Sequence, residues 1–292
     1  MPFFSVVLIT YNRADLLPRC IDSVINQTFD DWELIIVDNY SEDGTKELIE
    51  NYMEKDNRIK FIQVHNNNVL AVSRNAGIKM SQGKYIGILD SDDWYHKDKL
   101  KVVYDVCVDK EYDVLYNRYK FMTSKGEGRT SGKALASDDV FYELLMNGPI
   151  ISNTTTVVKK TSIEKVGYLS EDPSLRAVED LDLWLRMANN GCTFHFINKC
   201  LGYYWLGDNM SYSLKQLTQI DNIYQKFLPE IEPERLPSCI SCHDFLSART
   251  CHKIGEFDKA IKFYKNSMKA GSLNHRMYAL ILILMSKIGV RI

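Results

Sequence analysis

Short apolar runs alternate with amphipathic stretches through the first third of the chain. Ser5-Val6-Val7-Leu8-Ile9 is the first run, and residues 32–37, 59–64 and 84–89 are the next three. Each is rich in β-branched residues and too short for a helix, so each reads as a buried strand. Between the first two, Leu16, Leu17, Cys20, Ile21, Val24 and Ile25 fall at helical spacing within residues 14–27, and residues 45–54 and 70–81 also read as helices. Strands alternating with helices imply parallel crossovers and a doubly wound α/β sheet. Every run stops at a polar loop: residues 10–13, 38–44, 65–69 and 90–94. Crossover topology places these loops on one sheet edge, where open α/β sheets bind ligands.

The rest of the chain is less regular. Residues 99–108 read as a helix and 113–122 as a partly exposed, antiparallel strand. Residues 123–137, rich in Gly, Ser, Lys and Thr, read as a mobile loop. A short helix over 140–146, a strand over 155–159 and a helix over 163–169 follow. Glu179-Asp180-Leu181-Asp182-Leu183-Trp184 opens a helix that Gly191 stops, and residues 195–197 and 202–205 read as two further strands. From about residue 215 only helical patterns remain, including a hairpin of 243–254 and 257–270 that resembles a single tetratricopeptide unit. The pattern divides the chain into a main domain, 1–214, with halves 1–94 and 95–214, and a helical region, 215–292. The last forty residues carry eight Lys/Arg and two acids, a balance of +6, around the apolar run Met277–Met285. Nine residues cannot span a bilayer; such a helix either packs on the main domain or lies on an anionic membrane surface.

Composition narrows the function classes. A formal net charge of −2 gives no footprint for nucleic acid. Seven cysteines without a regular frame, and no basic segment ahead of residues 3–10, lead to the expectation of free thiols in a cytoplasmic protein. Cys239, Cys242 and His243 with Cys251 and His252 have zinc-binding side chains, but without the usual finger spacing. The first loop, Thr10-Tyr11-Asn12-Arg13, lacks the Gly-x-Gly-x-x-Gly of dinucleotide-binding oxidoreductases.

The candidate chemistry begins where the fourth run meets Asp90-Ser91-Asp92-Asp93-Trp94. Three carboxylates this close repel one another and would repel a phosphate. A hard divalent cation, Mg²⁺ or Mn²⁺, resolves both problems; the alternative is a solvated acidic turn capping the next helix. Glu179 and Asp180 sit in a first helical turn, where the helix dipole alone favours acids.

Taken together, several segments resemble the family 2 glycosyltransferases of GT-A fold. They are Ser5–Arg13, Gln27-Thr28-Phe29, Glu33–Asp38, Asp43-Gly44-Thr45, Ala71-Val72-Ser73-Arg74-Asn75-Ala76-Gly77, Leu89–Asp93 and Val178–Arg186. The similarity covers about residues 1–210. It implies a Rossmann-like, mostly parallel sheet with helices on both faces, a nucleotide-binding half followed by an acceptor-binding half, and a C-terminal helical extension. A nucleotide sugar, by resemblance a UDP-sugar, would lie across the strand ends. The resemblance then implies that Thr10, Tyr11 and Arg13 meet base and ribose, Asp38 with Asn39 the base, and Arg74 the diphosphate or sugar. It places Asp90, Ser91 and Asp93 at donor hydroxyls, Asp92 on Mn²⁺ or Mg²⁺, and Asp180, or less favourably Glu179, as the base of an inverting transfer. Two positions depart from the family pattern: Asn39 stands where a second Asp is usual, and Val69 where a Gly is usual. The aromatic faces of Trp94, Trp184, Tyr203, Tyr204 and Trp205 suit sugar stacking, although such residues are more often core. Tyr203 to Ser211 resembles a segment that closes over the site. Family analogy suggests a polyprenyl-diphosphate-linked oligosaccharide acceptor in bacterial surface-polysaccharide assembly, such as O-antigen or capsule. The alternative is a non-catalytic saccharide- or nucleotide-binding protein on the same scaffold.

Overall fold

β1 (Phe4–Thr10) is buried at every position because both of its faces are covered. Phe4, Val6 and Leu8 point into one core with Leu17, Leu34, Ile36 and Leu100, while Val7 points into the other with Ile86, Ile88, Val158 and Trp184. Unbroken apolar runs are what such two-sided burial requires. α1 (Leu17–Ile25) leads from β1 to β2 (Trp32–Asp38), α2 (Thr45–Met53) to β3 (Ile59–Gln63), and α3 (Leu70–Met80) to β4 (Tyr85–Asp90). These four strands are parallel in the order β3-β2-β1-β4. α3 lies very close to the sheet: a Cβ on Gly77 would sit 2.4 Å from Val7 Cγ1.

The computed structural model describes residues 1–207, 215–271 and 273–292, apart from the side chains at 216 and 274. After β4 come β5 (Trp94–Tyr95), α4 (Lys99–Asp109), β6 (Val114–Thr123), β7 (Gly126–Ser131), α5 (Val140–Asn147), β8 (Thr156–Lys159), α6 (Lys160–Val166), α7 (Glu179–Asn189) and β9 (Phe194–Trp205). One sheet runs β3-β2-β1-β4-β8-β6-β9-β5, with β7 on β6. β8 is antiparallel to both β4 and β6, and β9 is parallel to β6, so the sheet is parallel in the first half and mixed in the second.

Two sequence expectations are corrected here. Residues 123–137 are not simply a loop: β7 pairs with β6 in a hairpin turned at Gly126, whose φ is +114°. This edge strand is exposed almost throughout, so no buried face marks it in the sequence. Residues 195–197 and 202–205 are one strand, β9, whose register against β6 shifts twice between Asn117 and Tyr119. The bulged residues, with exposed Asn198 and Lys199, interrupt the apolar pattern without ending the strand.

α8 (Lys215–Phe227) buries Ile223, Tyr224 and Phe227 in the main-domain core, and Cys239 of α9 (Leu236–Ile254) joins them. α9 starts well before the 243 expected. It packs with α10 (Phe257–Ser267) and α11 (Leu273–Lys287) around a separate cluster of Ala248, Cys251, Ala260, Tyr264, Ala279, Leu282 and Ile283. The zinc arrangement does not form. Cys239 and Cys251 lie in different cores, and the ring nitrogens of His252 are taken up by Tyr264 Oη (3.2 Å) and Val290 O (2.6 Å). Along α11, Met277, Leu280, Ile281 and Leu284 face outward. Among the described residues no helix is long and apolar enough to cross a membrane.

Candidate active site

A cleft of about 310 Å³ opens at the carboxyl ends of β1 and β4, lined among others by Thr10, Tyr11, Arg13, Arg74, Tyr204 and the four residues Asp90 to Asp93. Its floor is a set of interlocked loops. Asn12, in the left-handed region at φ 48°, receives a hydrogen bond on Oδ1 from Glu42 N (2.9 Å), and its own N–H donates to Ser41 Oγ (2.8 Å). Asn39 Oδ1 accepts from Asn66 N (2.9 Å), and Asn66 Nδ2 donates to Ser73 Oγ (3.0 Å), tying the loop after β2 to α3. Asn12, Tyr40, Asn67 and Asn68, in these same loops, all have positive φ.

Asp38 has a different place from the one expected. Its carboxylate is fully buried and accepts from Ser41 N (2.9 Å), Ser41 Oγ and Gln63 Nε2 (3.0 Å). It shapes the loop that carries Tyr40, which stacks on His65 at 3.8 Å, and does not stand on the cleft wall as a free acceptor for a base.

The centre of the site is a buried guanidinium. Arg74 donates through Nη2 to Asp90 Oδ1 (2.7 Å) and through Nη1 to Glu179 Oε1 (2.5 Å). Burial disfavours its charge, but the Asp90 and Glu179 carboxylates outweigh burial and raise its pKa. Glu179 and Asp180 open α7, and the strained Ala177 (φ 65°) turns the chain into it. Asp180 is pushed up to about 7, by burial first and then by the charge of Glu179. A carboxyl titrating there suits a general base at neutral pH. Glu179, held by Arg74, is instead the group that fixes the start of α7 against α3.

The carboxylates after β4 divide their work. Asp93 is buried and accepts from Thr154 Oγ1 and from Trp205 N (2.8 Å), so it pins the end of β9; burial and the charges of Asp92 and Asp90 push its pKa well up. Asp92 has no side-chain partner among the described residues. Its carboxyl is raised by burial and by Asp90, and its backbone carbonyl is held by Arg19 Nη2 (2.8 Å). An unpaired carboxylate facing a cleft fits a hard dication that takes its other ligands from phosphate and water. No three of His, Cys, Asp and Glu enclose an ion by themselves among the described residues.

The model of glycosyl transferase family 2 matches residues 5–167. The chain belongs to this family. The glycosyltransferase is 31% identical over 209 residues to a putative teichuronic acid biosynthesis glycosyltransferase, TuaG, of Bacillus subtilis, covering 71% of this chain and 81% of that one. Among solved structures it superposes on S. aureus TarS 1–349 in complex with UDP-GlcNAc with a TM-score of 0.67 and 19% identity, covering 97% and 88% of the two chains. A mannosyltransferase from Pyrobaculum calidifontis, solved with GDP-Man and Mn²⁺, gives 0.64 and 16%, covering 99% and 85%. The fold is GT-A.

The aromatic residues of the glycosyltransferase separate. Tyr204 lines the cleft. Its neighbour Tyr203 points to the other face of β9, stacks on Trp94 at 5.2 Å, and shares with it a shallow depression beside Arg19. Trp184 is completely buried in the core, so its face is closed to any sugar. Neither Trp94 nor Tyr203 lines the cleft. Part of the segment expected to close over the site, residues 208–211, lies outside the described residues. Sequence reasoning missed Arg19, whose guanidinium sits 3.7 Å over Trp94 and 4.7 Å over Trp205. It also missed Lys99, whose buried Nζ donates to Thr154 O (2.6 Å). Both read as ordinary helix cations, and no motif distinguishes them.

Proposed function

We propose that the glycosyltransferase moves a hexose or N-acetylhexosamine from a UDP-sugar to a hydroxyl of a sugar acceptor, with inversion, and that the acceptor is lipid-linked and belongs to bacterial surface-polysaccharide synthesis. The observation that carries the reading is the Asp90–Arg74–Glu179 bridge, which ties Asp90, on the cleft, to the first residue of the helix that bears Asp180. Thr10, Tyr11 and Arg13, which line the cleft, would meet the nucleoside, and Asp90 and Ser91, which line it too, the donor's hydroxyls. Asp92 would hold a Mn²⁺ or Mg²⁺, which when bound neutralises the leaving diphosphate as a Lewis acid. Asp180 takes the proton of the acceptor hydroxyl as that oxygen bonds to the anomeric carbon and the bond to the diphosphate breaks. An α-linked donor then gives a β-linked product.

Support for the nucleotide comes from TarS, solved with UDP and with UDP-GlcNAc, while the mannosyltransferase with GDP-Man marks the competing choice. Support for the acceptor class is the likeness to TuaG, whose description names teichuronic acid biosynthesis. The outward apolar face of α11, set among basic residues, supports docking on an anionic membrane surface. A panel of UDP- and GDP-sugars, with and without Mn²⁺, scored by protection against thermal unfolding tests the donor. UDP-sugars should protect, more strongly with Mn²⁺. Protection by GDP-sugars alone would overturn the choice of UDP, and protection by none would overturn the transferase reading.

A further inference from the structure

A second cleft, of about 510 Å³, lies between the β6–β7 hairpin and α9, and among the described residues its lining holds four cations, Arg129, Lys133, Arg249 and Lys253, and no carboxylate. Arg249 makes no ion pair among the described residues, and its Nε is sealed from solvent without a hydrogen-bond partner. Lys133 finds only a neutral acceptor, Asn147 Oδ1 at 3.2 Å, and Arg129 lies 5.5 Å over the Phe121 ring. In a chain of net charge −2, a concave wall whose described charged side chains are all cations calls for an anion. The cleft is also the neighbour of the site. Tyr119 and Phe121 on its wall have ring centroids 5.8 and 5.7 Å from Tyr204, which lines the donor cleft. Ala177 and Val178 line it too, immediately before Glu179 and Asp180.

We propose that this cleft is an acceptor subsite for an anionic acceptor, one whose phosphate or carboxylate groups are held by Arg129, Lys133 and Arg249 while its attacking hydroxyl passes Tyr204 to Asp180. Guanidinium forks match phosphate and carboxylate bidentately, and Phe121 and Tyr119 give the uncharged parts of the acceptor an apolar wall. The proposal rests on the transferase reading and names its acceptor class.

Calorimetric titration of the full-length protein, saturated with UDP and Mn²⁺, tests it with four probes. Three are anionic: a short glycerol-phosphate oligomer, a short oligogalacturonate and farnesyl diphosphate. The fourth is neutral maltohexaose. At least one anionic probe should bind, and added salt should weaken it. Arg129→Gln with Arg249→Gln should weaken it about tenfold or more, while Arg249→Lys, which keeps the charge but not the fork, should weaken it less than that double variant. The probe that binds identifies the source of the oxyanion as a phosphodiester, a uronate or a lipid diphosphate. UDP binding with no anionic probe bound, equal binding by the Gln variant, or equal binding of maltohexaose would each overturn the subsite and leave the donor reading intact. Failure of UDP itself to bind would count against the transferase reading, and this one with it.

Discussion

As the proposed base, Asp180 sets stability against chemistry in one side chain. Its carboxyl titrates at about 7 in the folded protein against an ordinary 3.8, because burial and Glu179 disfavour its charge. The folded state therefore holds a proton that the unfolded state has released. Stability falls as pH rises from 3.8 toward 7, and the cost is complete above that. If Asp180 is the base it must be deprotonated to act, so turnover should rise with pH through about 7. Asp180→Asn should lower the turnover number by about 10²–10⁴ and raise the melting temperature at pH 8; normal turnover would refute the assignment. Arg74 is the opposite case. Arg74→Met leaves the buried Glu179 without its cation, with the partly exposed Asp90 unpaired as well, and denaturant titration should show a loss of about 3–5 kcal/mol. The sequence motifs located most of these residues. They did not reveal that Asp38 is spent on its own loop or that Trp184 is core, because a motif records a position and not what packs around it.

At the scale of elements, legibility follows burial. β1, β2 and β4 announce themselves because water is excluded from both faces, whereas β7 buries nothing and so reads as loop. The contact of α3 with β1 was hidden in Gly77. Gly77→Ala should cost about 1–3 kcal/mol in thermal or urea unfolding, since a methyl at 2.4 Å from the stiff Val7 side chain overpacks the core. α11 presents the reverse situation. Leu284 is 62% exposed, so Leu284→Gln should change stability by less than about 0.5 kcal/mol. The same variant should reduce co-sedimentation with anionic liposomes. Unchanged co-sedimentation would end the membrane-surface reading for this helix.

At the scale of the molecule, the change in pattern near residue 215 marks a change of secondary structure and not the end of the core. Ile223, Tyr224 and Phe227 fill the same cluster as Trp184 and Leu183. A chain ending at 214 should therefore be insoluble or bind the dye ANS strongly, whereas one ending after 235 should keep more of its native near-ultraviolet dichroism. Sequence periodicity shows which face of a helix is apolar but not which partner covers it, so this attachment was not legible. The sheet carries a wider consequence. A single backbone ladder runs from β3 through β8 to β5, crossing from the first half of the chain to the second, and Arg74 rivets the two halves above it. Jaws built on one continuous ladder cannot swing like a hinge. Rotation of lobes is then no way to close on a substrate, and selection by size falls to the loops and side chains at the rim.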